Sequence, residues 1–208
     1  MNIELPDLVR RFGRTEAVAG VTLAQGPGVF GLLGPNGAGK TSLLRMMATV
    51  LPPSSGQIEL LGRDPRAQGP RREIRRRLGY LPQNLGYYPG FTVADFVEYF
   101  ALLKDMPPRL VPRAVAVAIE RTGLGDRARS KLRTLSGGML RRAGIAQAIV
   151  NQPELLLLDE PTAGLDPEQR VAFRAMLREF GESATVVVST RLVPHRAGWS
   201  HLTPVGTS

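Results

Sequence analysis

The 208-residue chain has no cysteine, which excludes a disulfide framework and any thiolate metal site and fits a reducing compartment. It has no uninterrupted apolar run near the roughly 18 residues that a membrane-spanning helix needs. If the protein works at a membrane, another polypeptide is expected to do the spanning. The opening residues, MNIELPDLVRR, carry no apolar signal core. Aromatic residues are scarce at 6%, and no basic stretch is interleaved with aromatic stacking platforms. Acidic residues are outnumbered, 18 against 27 basic, for a net charge of +9. The excess is almost wholly arginine and includes the cluster Arg71, Arg72, Arg75, Arg76 and Arg77. Such a cluster can neutralise phosphates, form a solvated helix face, or attract anionic lipid beside a membrane partner. Without aromatic platforms or a nucleic-acid motif, no specific nucleic-acid partner is expected.

The 43% hydrophobic content in 208 residues supports one sizeable core with room for a subdomain, but not two full domains. Within it, residues 34–41 read GPNGAGKT between an apolar run and a helix-forming run. The spacing Gly-x-x-x-x-Gly-Lys-Thr is that of a P-loop. Gly34, Gly37 and Gly39 permit backbone angles closed to residues with a Cβ, so successive amides can turn inward around a phosphate chain. The helix that follows adds its positive end. Lys40 can reach the β- and γ-phosphates, and the Thr41 hydroxyl suits a Mg²⁺ that bridges them. The bland alternative is a glycine-rich turn that binds nothing; motif and context together favour a nucleoside triphosphate.

Ahead of this loop, residues 2–11 and 17–23 read as strands separated by a turn at Phe12-Gly13. Phe12 serves either as core or as a stacking face for a base. After the loop come a helix over 41–50, stopped by Pro52-Pro53, and a strand over 57–61. The basic cluster forms a short helix into a strand over 78–81, which ends at Pro82-Gln83. From Thr92 the period turns helical, with Thr92 and Asp95 spaced as a capping box. A second helix covers 111–122, and this helical insertion spans about 84–135. Ser136 then caps a largely apolar helix. Ser136, Gly137 and Gly138 are either an ordinary cap or a second anion site at a helix N-terminus. The apolar run 154–158 reads as a central parallel strand that delivers Asp159 and Glu160 at its C-terminal end, the edge where open α/β sheets bind ligands. With a P-loop upstream, Asp159 is expected to hold Mg²⁺ as a Walker B aspartate, and Glu160 to act on the attacking water. Asp166-Pro167 starts a helix to about Phe180, and TVVVS over 185–189 is another buried strand.

Residues 34–41, Gln83, 135–139, 155–160 and 163–166 together resemble an ATP-binding-cassette (ABC) ATPase in order and spacing across about 1–190. GPNGAGKTS, LSGGMLRR and LLLLDEPTAGLDP are most similar to the nucleotide-binding subunits of bacterial drug or antibiotic exporters. The resemblance implies an α/β fold: a P-loop NTPase core with a mostly parallel sheet, N-terminal antiparallel strands and an inserted helical subdomain. It implies ATP and Mg²⁺, held by Gly34, Pro35, Asn36, Gly37, Ala38, Gly39, Lys40, Thr41 and Ser42, with Phe12 on the adenine. It also implies a second ABC subunit whose Ser136, Gly137 and Gly138 close over this subunit's nucleotide, with Asp166 coupling the two sites. Gln83 would contact Mg²⁺ and the lytic water, while residues 84–91, with Tyr87 and Tyr88, would face a transmembrane permease. The expected location is the cytoplasmic face of the cell membrane, as a peripheral subunit.

Two departures qualify this. Met139 stands where the family's glutamine is commonest, a mild change because backbone and Ser136 do most of the phosphate work. Arg191 follows Ser-Thr where the family usually has a histidine that bonds the γ-phosphate. Arginine can donate to phosphate but cannot accept, or exchange a proton near neutral pH, so hydrolysis is expected to suffer. Beyond it, residues 191–208 have no clear period and read as an irregular tail without the family's ending, with His195 and His201 in loops. A reading frame altered after Thr190 would account for that. The competing functions are a degenerate module that binds ATP with little hydrolysis, and a non-transport ABC ATPase; the latter usually carries long coiled-coil insertions or two cassettes, neither of which is seen here.

Overall fold

A computed structural model describes residues 1–190 and, as backbone, 200–202. The chain opens with strand β1 (Ile3–Phe12), turns at Gly13-Arg14, and returns as β2 (Thr15–Gln25). Strand β3 (Gly28–Leu33) leads through residues 34–39 into helix α1 (Lys40–Met47). Next come the two-residue strand β4 (Glu59–Leu60), helix α2 (Gln68–Arg76) and strand β5 (Leu78–Leu81). Helices α3 (Val93–Leu103) and α4 (Val111–Arg121) follow, then the long α5 (Gly137–Ile149). Strand β6 (Leu155–Asp159), helix α6 (Pro167–Gly181), strand β7 (Thr185–Thr190) and the short β8 (Ser200–Leu202) complete the order.

These strands form two sheets. One is antiparallel, in the order β2-β1-β4; the other has five strands in the order β5-β6-β7-β3-β8, and every pairing in it is parallel. Parallel strands need covered faces, and the sequence of β6 supplies for both: its Leu155, Leu156, Leu157 and Leu158 are all fully buried. Leu156 and Leu158 pack with α3 to α6, while Leu155 and Leu157 pack with α1 and the antiparallel sheet. Burying each such leucine contributes about 1.5–3 kcal/mol. The parallel sheet is therefore the middle layer, and its C-terminal edge is free to carry loops.

The helices begin where their caps dictate. Thr92 Oγ1 accepts from the Asp95 amide at 3.1 Å, and Asp95 accepts in return from the Thr92 amide at 2.9 Å. Ser136 and Asp166 cap α5 and α6, accepting from the Met139 and Gln169 amides. From Ala143 to Ile149 every residue of α5 is buried, more than the one buried side its sequence suggests. The polar exception there, Gln147, donates to the Tyr80 carbonyl at 2.8 Å.

Four arginines of the basic cluster, on α2 and just after it, join elements. Arg72 and Arg76 both pair with Asp105 at the end of α3, Arg75 donates to Thr49, and Arg77 grips Glu154. The hydrogen bonds from Arg72 and then Arg76 lower the Asp105 carboxyl to about 2. A depressed carboxyl gives stability that is complete above its unfolded value and is lost as pH falls through the folded one. This latch therefore weakens only between about pH 4 and pH 2. Nearby, burial lowers the Lys104 amine to about 8, where it donates to the Leu78 and Arg75 carbonyls.

Two expectations shift. The strand read over 57–61 contracts to Glu59–Leu60, pairing with Ile3 and Glu4 only. Ser200–Leu202 lies beside Phe30 to Leu32 as a parallel edge strand, so this part of the tail is regular and His201 sits in a strand rather than a loop. Residues 191–199 and 203–208, and with them Arg191 and His195, lie outside the described residues.

Candidate nucleotide site

Parallel order decides which loops meet. At the C-terminal edge of the sheet, β5 delivers Gln83, β6 delivers Asp159 and Glu160, and β3 delivers the glycine-rich loop, with β7 lying between β6 and β3. Asp159 and Ser189 are in register, as are Ser189 and Leu32, so the three strand ends stop at one level.

The loop after β3 is held open by its glycines and by the neighbouring sheet. Gly39, at φ 77°, caps α1 in the left-handed region, and a Cβ there would stand 1.9 Å from the Ala17 carbonyl oxygen. Only glycine allows both the angle and that approach to β2. Lys40, 7% exposed, folds back across the loop and donates to the Gly34 and Pro35 carbonyls at 2.6 and 2.7 Å. Asn36, Gly37, Ala38, Gly39, Lys40, Thr41 and Ser42 line a cavity of about 350 Å³, closed on its other sides by Ala17, Gln83 and Glu160. The backbone amides, ammonium and hydroxyls on one wall suit a polyphosphate.

The carboxylates at the end of β6 differ in their surroundings. Asp159 is 1% exposed. Its Oδ1 accepts from the Ser189 hydroxyl at 2.5 Å, while Oδ2 is buried with no partner among the described residues. An orphaned carboxylate oxygen in such a place fits a divalent cation. Among the described residues no three His, Cys, Asp or Glu side chains converge to hold a metal. Mg²⁺ itself keeps water and takes phosphate oxygens alongside one or two protein ligands. Glu160 has φ 48°, uncommon for a non-glycine residue, and its amide donates to Ser189 Oγ at 2.9 Å. The Asp159 carboxylate is also one reason, after burial, that the Tyr80 phenol is raised to about 12.

The cap of α5 lies elsewhere. Gly137 lines a second cavity, of about 340 Å³, with Gln83, Leu85, Arg141, Glu160 and Ala163. Gln83 and Glu160 border both cavities, whereas Ser136, Gly137 and Gly138 border no part of the glycine-loop cavity. A Cβ on Gly138 would come within 2.8 Å of the Gly164 carbonyl oxygen, so this glycine also lets α5 approach the turn before α6. Asp166 sits past that turn, its Oδ1 capping α6 through the Gln169 amide at 2.8 Å. Phe12 is 46% exposed at the end of β1, with the Arg10 guanidinium 4.6 Å from its ring centre; its free face remains available for stacking.

A family model described as ABC transporter matches residues 20–163, which takes in the glycine loop, Gln83, the α5 cap and the Asp159-Glu160 pair. The chain belongs to the ABC transporter family. It is 38% identical over 162 residues to an uncharacterized ABC transporter ATP-binding protein, YxlF, of Bacillus subtilis, covering 78% of this chain and 52% of that one. It is 38% identical over 197 residues to the Nod factor export ATP-binding protein I of Burkholderia thailandensis, covering 92% of this chain and 63% of that protein. The chain thus spans about half to two thirds of these relatives. Its fold superposes with a TM-score of 0.85 on the dimeric structure of MJ0796, a bacterial ABC transporter cassette, at 25% identity over 97% of this chain and 94% of that one. The ABC fold is the α/β arrangement expected from the sequence.

Three residues of this ABC cassette's site escape a reading by motif. Ala17 borders the loop cavity through a strand pairing that no local pattern announces. Ser189 is a hydroxyl at the end of an apolar strand, a signal that is present but easily read as ordinary strand chemistry. Arg141 is a charged residue that is 8% exposed in a helix with few polar positions. Its Nη1 donates to the Pro82 and Gln83 carbonyls at 2.9 and 3.1 Å, and its Nη2 donates to the Asp159 carbonyl. Burial pulls its pKa below the usual guanidinium value, opposed by the charges of Asp159 and Glu160.

Proposed function

We propose that this chain is the ATP-binding subunit of an exporter-type ABC transporter, binding and hydrolysing MgATP to power a separate membrane-spanning partner. The observation that carries this reading is that Gln83 and Glu160 close the cavity whose opposite wall is the glycine loop, with the unpartnered Asp159 oxygen buried at the same sheet edge. The loop amides and Lys40 bind the phosphates, and Phe12 offers its open face to the base. Thr41, Asp159 and Gln83 would hold Mg²⁺, which when bound would supply charge neutralisation to the phosphates. Glu160 orients and deprotonates the water that attacks the γ-phosphorus in line. Lys40 and the loop amides stabilise the charge that develops as the γ-phosphoryl group leaves. Arg191, the next residue in the sequence after β7, is assigned a donor role toward phosphate.

Ser136, Gly137 and Gly138 act on the nucleotide of a second cassette, and a second cassette returns the same contact, with Asp166 at the join. The dimeric MJ0796 cassette supports this arrangement, as does the exclusion of these three residues from the loop cavity of their own chain. No helix among the described residues is long and apolar enough to cross a membrane; the pathway is assigned to a separate permease. The segment 84–91 that follows Gln83 is assigned its docking surface, where Tyr87 and Tyr88 are exposed, as are Tyr99, Leu102 and Leu103 of α3. There Tyr88, Phe91 and Tyr99 stack on one another at 5.0–6.2 Å between ring centres. Patches of this kind mark interaction sites. The Nod factor export relative supports export as the direction of work.

Phosphate release from ATP by the full chain, with Mg²⁺ and with excess EDTA, tests the reading. Turnover that requires Mg²⁺ and rises on co-expression with the membrane partner is expected. ATP binding without phosphate release under either condition would instead mark a nucleotide-gated module.

A further inference from the structure

The peptide unit that joins Asp159 to Glu160 is held from both sides. Its carbonyl accepts from Arg141 Nη2 and its N–H donates to Ser189 Oγ, which leaves this plane little freedom to rotate. That matters because Glu160 stands in the left-handed region at φ 48°, a conformation that persists in a non-glycine residue only when the surroundings over-determine it. The same guanidinium spans to the loop after β5 through the Pro82 and Gln83 carbonyls. Arg141 lies on α5 soon after its cap, Ser136. One buried side chain thus ties together Gln83, Glu160 and the helix that carries the second anion site.

We infer that Arg141 is a positioning residue for hydrolysis: it fixes Glu160 and Gln83 relative to each other, and ties that spacing to the α5 helix. The inference rests on the reading that Glu160 and Gln83 serve ATP hydrolysis. Three donors in a rigid fork suit the task, since they address carbonyls from two separate loops at once. A lysine in the same place has one compact ammonium and reaches fewer of them. Arg141 donates to none of the loop residues 36–42, which are assigned the phosphate contacts, so its larger effect falls on turnover rather than capture.

Arg141→Met and Arg141→Lys, in the full chain, separate the possibilities when ATP affinity and turnover are measured beside a Glu160→Gln control. Misplacing a catalytic group by about 1 Å costs about 10²-fold. Arg141→Met is therefore expected to lower kcat by about 10²-fold, with the dissociation constant for MgATP within about two-fold of the parent. Arg141→Lys is expected to recover about ten-fold of that loss, and it carries the test alone if the methionine variant does not fold. Placed on Glu160→Gln, either change is expected to add almost nothing. Parental kcat in the arginine variants with turnover lost in Glu160→Gln overturns the positioning role and leaves the catalytic reading standing. Losses that fall on affinity alone overturn it too. Parental turnover in Glu160→Gln removes the underlying reading instead.

Discussion

Glu160→Gln is expected to keep MgATP affinity within about two-fold of the parent while lowering turnover by about 10²–10⁴-fold, the range over which a positioned general base contributes. The change is isosteric, so the pinned peptide, the contact of the Glu160 amide with Ser189 and the cavity shape all survive. What is lost is the negative charge and the ability to take a proton from water. Affinity is expected to survive because the phosphate contacts are assigned to the opposite wall, residues 36–42. Equilibrium binding of a fluorescent ATP analogue, paired with phosphate release, separates the two quantities. Equal turnover in the two proteins would remove Glu160 from the mechanism.

Lys40→Ala should give the opposite pattern. Lys40 is a nearly buried ammonium at the start of α1, and it holds the Gly34 and Pro35 carbonyls within 2.7 Å. On nucleotide binding those donors turn to phosphate, and charge-assisted bonds of this kind are worth about 1.5–3 kcal/mol each. The dissociation constant for MgATP is therefore expected to rise by about 10–100-fold, with turnover falling alongside. Lys40→Arg should not restore it, because the longer planar fork cannot replace a compact point charge in a packed loop. Titration calorimetry of the parent and both variants checks this. Unchanged affinity in Lys40→Ala would place phosphate recognition elsewhere.

Much of this was legible in the sequence because the deciding signals are local. The Gly-x-x-x-x-Gly-Lys-Thr spacing, the Thr92–Asp95 capping box, Ser136 before an apolar helix and the leucine run ahead of Asp159 each report on a few adjacent residues, and each element formed where its signal stands. What the sequence hid are relations between distant residues. Ser189 reaches Asp159 only because β6 and β7 run parallel in one register. Arg141 meets Pro82, Gln83 and Asp159 only once α5 is packed across the ends of β5 and β6. Nothing local announces the ion pairs of Arg72, Arg76 and Arg77 with Asp105 and Glu154, because these partners lie about 30 and 80 positions downstream. The strand expected over 57–61 is shorter for a related reason: its pattern fits a strand, but β1 offers only Ile3 and Glu4 as partners.

The central claim is that this chain carries two halves of different nucleotide sites, so that a filled site needs two cassettes. Glu160→Gln is the form to use, since it is expected to bind ATP and consume it only slowly. Light scattering of that variant at saturating MgATP should give about twice the chain mass of 22.6 kDa, and adding Ser136→Arg should return it to one chain mass while leaving nucleotide bound. A mass of 22.6 kDa with nucleotide fully bound would contradict the account.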